Sequence, residues 1–145
     1  MQPLTLQNYT PKLQKIGFRT EIFCPLRKKW YKHTPEESVR QRFVHFLITE
    51  CGYAKNLIAL EYDLTIEGKG RRADIAVFNR EGAVTLIVEC KKNEISLSQA
   101  VFDQLTIYHS KVKCEYIVVT NGLYYDIRKF DKALNYFIVT DELPK

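Results

Sequence analysis

The chain has 145 residues, 46% hydrophobic and 27% charged, which suits one globular domain that buries most of the surface its unfolded form exposes. No apolar run approaches the ~20 residues that cross a bilayer, and the first ten residues lack a secretory signal's charged-then-apolar layout, so the expectation is a cytoplasmic protein without a membrane role. The formal charge of +5 suits a polyanionic partner, and the four cysteines and three histidines show no zinc-ligand spacing, so the thiols read as reduced and packed.

Residues 1–31 hold three of the five prolines and read as a mostly irregular arm with a short strand near 20–23, ahead of a single domain over 32–145. Thr34-Pro35-Glu36-Glu37 opens the first helix. Threonine can cap, proline suits the first helical position, and Glu37 falls where a capping-box acid reaches back. Val39, Phe43, Phe46 and Leu47 follow at helical spacing, and Gly52 is placed to stop the helix. Residues 57–66 alternate in part and read as a strand closed by Gly68-Lys69-Gly70. Strands over 73–78 and 83–90 follow, joined by the turn Asn79-Arg80-Glu81-Gly82. From Val84 to Val88 the latter is apolar on both faces, as in a central strand covered on both sides. Ser96 or Ser98 starts a second helix carrying Val101, Leu105 and Tyr108, and a strand over 116–120 comes next. Asn121-Gly122 signals a turn, with short strands around 124–130 and 137–140. The fold class is therefore α/β (α+β), a mixed sheet flanked by helices with additional C-terminal strands.

Chemistry concentrates at Asp74 and, fifteen residues later, Glu89-Cys90-Lys91. With residues 79–82 as a symmetric turn, Ile87 stands opposite Asp74, and Glu89 and Lys91 join it on the same sheet face. Asp74 and Glu89 are then diagonal neighbours roughly 7–8 Å apart, close enough to share a metal. Two carboxylates so placed repel each other, and a divalent cation resolves that conflict. Carboxylate oxygens with water in the remaining positions suit Mg2+ or Mn2+ better than zinc. The backbone carbonyl of Cys90 is a further candidate ligand, its thiol pointing into the core. Lys91 could orient or deprotonate a metal-bound water, or neutralise charge on the phosphorus. A strand-end ion pair of Glu89 with Arg71 or Arg72 is the structural alternative.

Several segments in order then resemble a known family: Thr34-Pro35-Glu36-Glu37 with Val39-Arg40-Gln41, Gly52-Tyr53, Arg72-Ala73-Asp74-Ile75-Ala76-Val77, Val88-Glu89-Cys90-Lys91, Gln104 with Tyr108, and Val119-Thr120-Asn121-Gly122. The series, over about residues 27–130, is similar to the N-terminal nuclease domain of type I restriction enzyme R subunits, within the PD-(D/E)xK (restriction endonuclease-like) superfamily. That resemblance implies an αβββαβ core and metal-dependent hydrolysis of DNA. It makes Asp74 and Glu89 metal ligands and Lys91 the catalytic lysine. Gln104 and Tyr108 match a Gln-x-x-x-Tyr motif that could meet DNA or steady the lysine. Glu37 matches a first-helix acid that completes the metal site, though it also fits the capping box, with Glu36 as fallback. Arg40 and Gln41 belong to the same ordered series, with an exposed helical face as their alternative and no role assigned to either. Arg71, Arg72, Lys92 and Gln104 are candidates for nucleic-acid contact.

No Gly-x-x-x-x-Gly-Lys-[Ser/Thr] loop occurs, so the expected nuclease has no motor of its own in this sequence. With no helix-turn-helix or zinc module, specificity is expected from shape, a partner or homodimerisation. The alternative is a non-catalytic nucleic-acid-binding or interaction subunit of a larger restriction or mobile-element complex.

Overall fold

The computed structural model describes residues 1–64, 72–93, 97, 99–100, 102–103, 105 and 114–145. The first helix, α1 (Pro35–Thr49), starts as its sequence dictates: Thr34 is the cap, and its hydroxyl oxygen accepts the Glu37 N–H at 3.0 Å. Val39, Phe43, Val44 and Leu47 are buried along one side of it. Beyond the last turn Gly52 takes φ +77°, a left-handed conformation that lets the Tyr53 N–H return to the Leu47 carbonyl.

The N-terminal segment departs from the irregular arm expected of it. A two-residue strand β1 (Gln2–Pro3) is followed by β2 (Leu13–Ile16), β3 (Arg19–Cys24) and β4 (Lys29–Lys32), and the last three form a separate antiparallel sheet in the order β2-β3-β4. The prolines misled the reading because they fall at or between strand ends, at Pro3, Pro11 and Pro25, where no ladder hydrogen bond is lost. Gly17, at φ +62°, begins the two-residue turn that pairs Ile16 with Arg19.

The main sheet contains β5 (Ile58–Asp63), β6 (Arg72–Phe78), β7 (Val84–Cys90), β8 (Tyr116–Thr120), β9 (Tyr124–Asp131) and β10 (Tyr136–Thr140), in the order β1-β9-β8-β7-β6-β5 with β10 also on β9. The pairs are antiparallel except β7 with β8. A parallel pair needs a long crossover, and the helical residues 99–100, 102–103 and 105 lie within it. Phe102 and Leu105 pack on Ile117 and Val119, whereas the α1 residues Val39, Phe43 and Leu47 pack with Ile75, Val77, Leu86, Val88 and Val118. Strand β8 is thus covered on both faces, and the apolar run of β7 is buried throughout Leu86, Ile87 and Val88. The fold is mixed α/β. Part of the strand expected over 57–66, the starts proposed at Ser96 or Ser98, and Val101 and Tyr108 of the second helix lie outside the described residues.

The β6–β7 register also differs from the symmetric turn. Asn79 donates its N–H to the Ala83 carbonyl at 2.8 Å, Gly82 bonds back to the Asn79 carbonyl, and Gly82 sits at φ +85°. That is a three-residue turn with a glycine bulge, one residue off symmetry. A second shift follows between Val77 and Phe78: Phe78 pairs with Val84 but Val77 with Leu86, so Thr85 is the extra residue. The pairing runs on to Ile75 with Val88, and one further step brings Asp74 directly across from Glu89 rather than from Ile87. Either shift alone would have sent the two acids to opposite faces. Together they displace the register by an even number and keep Asp74 matched to the Ile87–Glu89–Lys91 set. Among the described residues, no helix is long and apolar enough to cross a membrane.

Candidate active site

Asp74 and Glu89 meet where the β6–β7 ladder ends. The β6–β7 pairing ends at Ile75 and Val88, and the Asp74 carboxylate takes over: its Oδ2 accepts the Cys90 N–H at 2.8 Å. Its Oδ1 accepts from the Arg40 guanidinium, also at 2.8 Å. Lys91 Nζ stands 3.3 Å from Glu89 Oε1, with both side chains about a quarter exposed or less. Glu89 is the shared neighbour, close to Asp74 on one side and Lys91 on the other. Burial first, and then the Asp74 charge, push its carboxyl up to about 7; the Lys91 ammonium offsets part of this. Cys90 is buried in the core against α1, and burial pushes its thiol up, so it stays a neutral core side chain.

Arg40 and Gln41 are buried, not on an exposed helical face. Arg40 reaches two carboxylates at once, Glu37 Oε1 at 2.7 Å and Asp74 Oδ1 at 2.8 Å. Glu37 Oε2 in turn accepts from Arg27 at 2.6 Å, and Arg27 also reaches Glu61 Oε2 at 2.9 Å. An alternating chain of charges, Glu61–Arg27–Glu37–Arg40–Asp74, therefore joins β5, the β3–β4 loop, α1 and β6. Glu37 is not a reciprocal cap: the Thr34 N–H bonds the Lys32 carbonyl, and the Glu37 carboxylate is held between two arginines and Gln41.

Arg27 and Glu61 are the residues that sequence reasoning missed, and it assigns Arg40 no role. Glu61 lies across from Asp74, between the pairs Leu60–Ile75 and Tyr62–Ala73, a register that the sequence alone did not set. It takes φ +51°, a left-handed conformation uncommon for glutamate. Arg72 and Lys92 are exposed near the two strand ends. Arg71, Gln104 and Tyr108 lie outside the described residues. An apolar cavity of about 360 Å³ between the N-terminal segment and α1 is lined by none of the candidate catalytic residues.

The donor set fits a hard divalent cation: two adjacent carboxylates, one of them strained by the other's charge, with a backbone carbonyl between Glu89 and Lys91. Among the described residues no three His, Cys, Asp or Glu side chains gather as a metal-binding group, so protein ligation would rest on this pair and the carbonyl.

These features define an α/β domain with an acid pair and a lysine at the end of two adjoining strands. The family described as Type I restriction enzyme R protein N terminus (HSDR_N) matches residues 35–144, and the chain belongs to it. The match spans α1 to β10 and leaves out the β2–β4 sheet. No curated protein matches the sequence.

Proposed function

We propose that this domain is a metal-dependent DNA endonuclease of the PD-(D/E)xK type, using Mg2+ or Mn2+. The observation that carries the reading is the meeting of Asp74, Glu89 and Lys91 at the end of β6 and β7. Membership of the restriction R-protein family supports it, as does the element order α1, β5, β6, β7, helical residues, β8, which follows the αβββαβ core of that superfamily.

Asp74, Glu89 and the Cys90 carbonyl would hold the ion. Bound there, it would acidify a coordinated water and offset charge on the phosphoryl oxygens. The attacking water forms a new O–P bond as the ester P–O bond opposite breaks, leaving a phosphate monoester and a free hydroxyl. Lys91, held beside Glu89, places its ammonium where it can orient that water and counter the charge that grows on the phosphate. Arg40 fixes the Asp74 rotamer, and Glu37 positions Arg40, so Glu37 acts one step removed from the metal. On the same proposal Gln104 and Tyr108 contact DNA or steady Lys91, and Arg71, Arg72 and Lys92 flank the path of the strand.

The test is cleavage of plasmid and linear DNA by the purified chain with Mg2+ or Mn2+. Wild type should cut, and Asp74→Ala should abolish cutting while retaining salt-sensitive binding. Wild-type protein that binds DNA yet cuts nothing with either metal would instead fit a non-catalytic subunit of a restriction complex and end the enzyme reading.

A further inference from the structure

The molecule's net positive charge comes from the part that the family match leaves out. Residues 1–33 carry seven Lys or Arg and a single acid, Glu21, a net +6. The remaining residues, with fifteen basic and sixteen acidic, sum to −1. The β2–β4 sheet presents two different faces. Ile22 and Cys24 point inward and are buried. The register puts Gln14, Glu21 and Lys32 together on the other face, with Phe23 and Trp30 beside them and Ile16 and Arg19 beyond. Here the Phe23 and Trp30 rings meet edge-on at 5.3 Å, with the Lys12 ammonium 5.0 Å and 5.6 Å from their centres. Glu21, the face's one acid, is already engaged by Arg19 at 3.0 Å and Gln14 at 2.9 Å. At the hairpin tip Phe18 is fully exposed, beside a shallow depression lined by Ile16, Phe18, Arg19, Thr20, Lys32 and His33.

We infer that the outer face of the β2–β4 sheet is a nucleic-acid-binding surface, in which Lys12, Arg19 and Lys32 contact phosphates and Trp30, Phe23 and Phe18 offer ring faces to bases. Lysines and an arginine around half-exposed rings on a small sheet suit a strand whose phosphates need cations and whose bases need flat apolar partners. The face is also tied to the acid pair, because Arg27 of the β3–β4 loop begins the charge chain that ends on Asp74. The partner's identity rests on the nuclease reading, but the surface does not require cleavage.

Trp30 is the chain's one tryptophan, so its emission reports on this face alone. Fluorescently labelled DNA of about 20 nucleotides, single-stranded and duplex, is titrated with wild-type protein in EDTA, reading anisotropy and Trp30 emission together. The expected result is binding accompanied by a change in Trp30 emission. Combining Lys12→Gln, Arg19→Gln and Lys32→Gln should weaken binding at least about tenfold at moderate salt and lower the slope of log K against log salt by about two to three. Each single exchange should remove a little under one from that slope, so the inference does not hang on the triple variant's behaviour. The relative affinity of the two DNA forms identifies which one the face prefers. Unchanged slope in the triple variant, DNA binding without any Trp30 response, or competition by polyglutamate as effective as by oligonucleotide would each overturn the inference. Because metal is absent, loss of cleavage alone leaves these readouts intact, and failure here leaves the catalytic test untouched.

Discussion

Glu89→Gln should stabilise the metal-free protein at mildly alkaline pH while removing its proposed activity. The Glu89 carboxyl ionises near 7 in the folded protein and near 4.5 without its surroundings, owing first to burial and then to Asp74. Between those values the folded state holds a proton that the unfolded chain has released. Stability is thus greatest below about pH 4.5 and falls as the pH rises through about 7. At about 1.4 kcal/mol per pKa unit, the full penalty above that window is about 3 kcal/mol. Glutamine keeps the shape and cannot ionise, but it weakens the contact with Lys91, a pairing about a quarter exposed and worth about 1 kcal/mol. The net gain is about 2 kcal/mol near pH 8, or about 6 °C in Tm for a domain of this size. Near pH 5 the wild-type carboxyl is already neutral, and the gain should vanish. Thermal and urea melts in EDTA at both pH values measure the difference. A glutamine variant that melts at or below wild type at the higher pH would refute the argument, as would equal stabilisation at both. Added Mg2+ should raise the wild-type Tm and leave the variant's nearly unchanged.

Arg40→Met should destabilise the fold by about 3 kcal/mol in urea unfolding, because it leaves the largely buried Asp74 carboxylate without a cation and Glu37 with Arg27 as its one arginine partner. Gly122→Ala should cost at least about 1–2 kcal/mol in the same assay. Gly122 sits at φ +87°, and an added Cβ would come within 3.1 Å of Val39 Cγ2 and Asn93 Oδ1.

What could be read from the sequence followed the strength of local signals. Thr34-Pro35-Glu36-Glu37 and Gly52 bracketed α1 because capping and left-handed stops depend on neighbouring residues alone. The apolar run Leu86-Ile87-Val88 declared the central place of β7 because no polar residue interrupts it. The N-terminal sheet was hidden because prolines between strands resemble prolines that prevent them. The partners of Asp74 were less legible for a different reason. Arg40 is 34 residues away and Arg27 reaches it only through Glu37, and such pairing is decided by packing, not spacing. The acid pair itself survived an incorrect register because the turn bulge and the Thr85 bulge displaced the strand by an even count.

The two acids of the pair are built into the fold by opposite means. Asp74 is braced on both oxygens, by an arginine and by a strand N–H, so its position is set before any ligand arrives. Glu89 is largely buried with a like charge across from it, and these disfavour its ionised form by more than the Lys91 ammonium beside it restores. Arginine suits the Asp74 side because one planar guanidinium can span Glu37 and Asp74 together, which a lysine's single ammonium does less well. Extending the chain through Arg27 to the β3–β4 loop makes the rigidity of Asp74 depend on how the N-terminal sheet is seated. A nucleic acid lying on that sheet would sit close to the anchor of the same chain of charges that holds Asp74. Arg27→Met should therefore loosen Asp74 as well as the seat of the β3–β4 loop, seen as faster amide exchange at both.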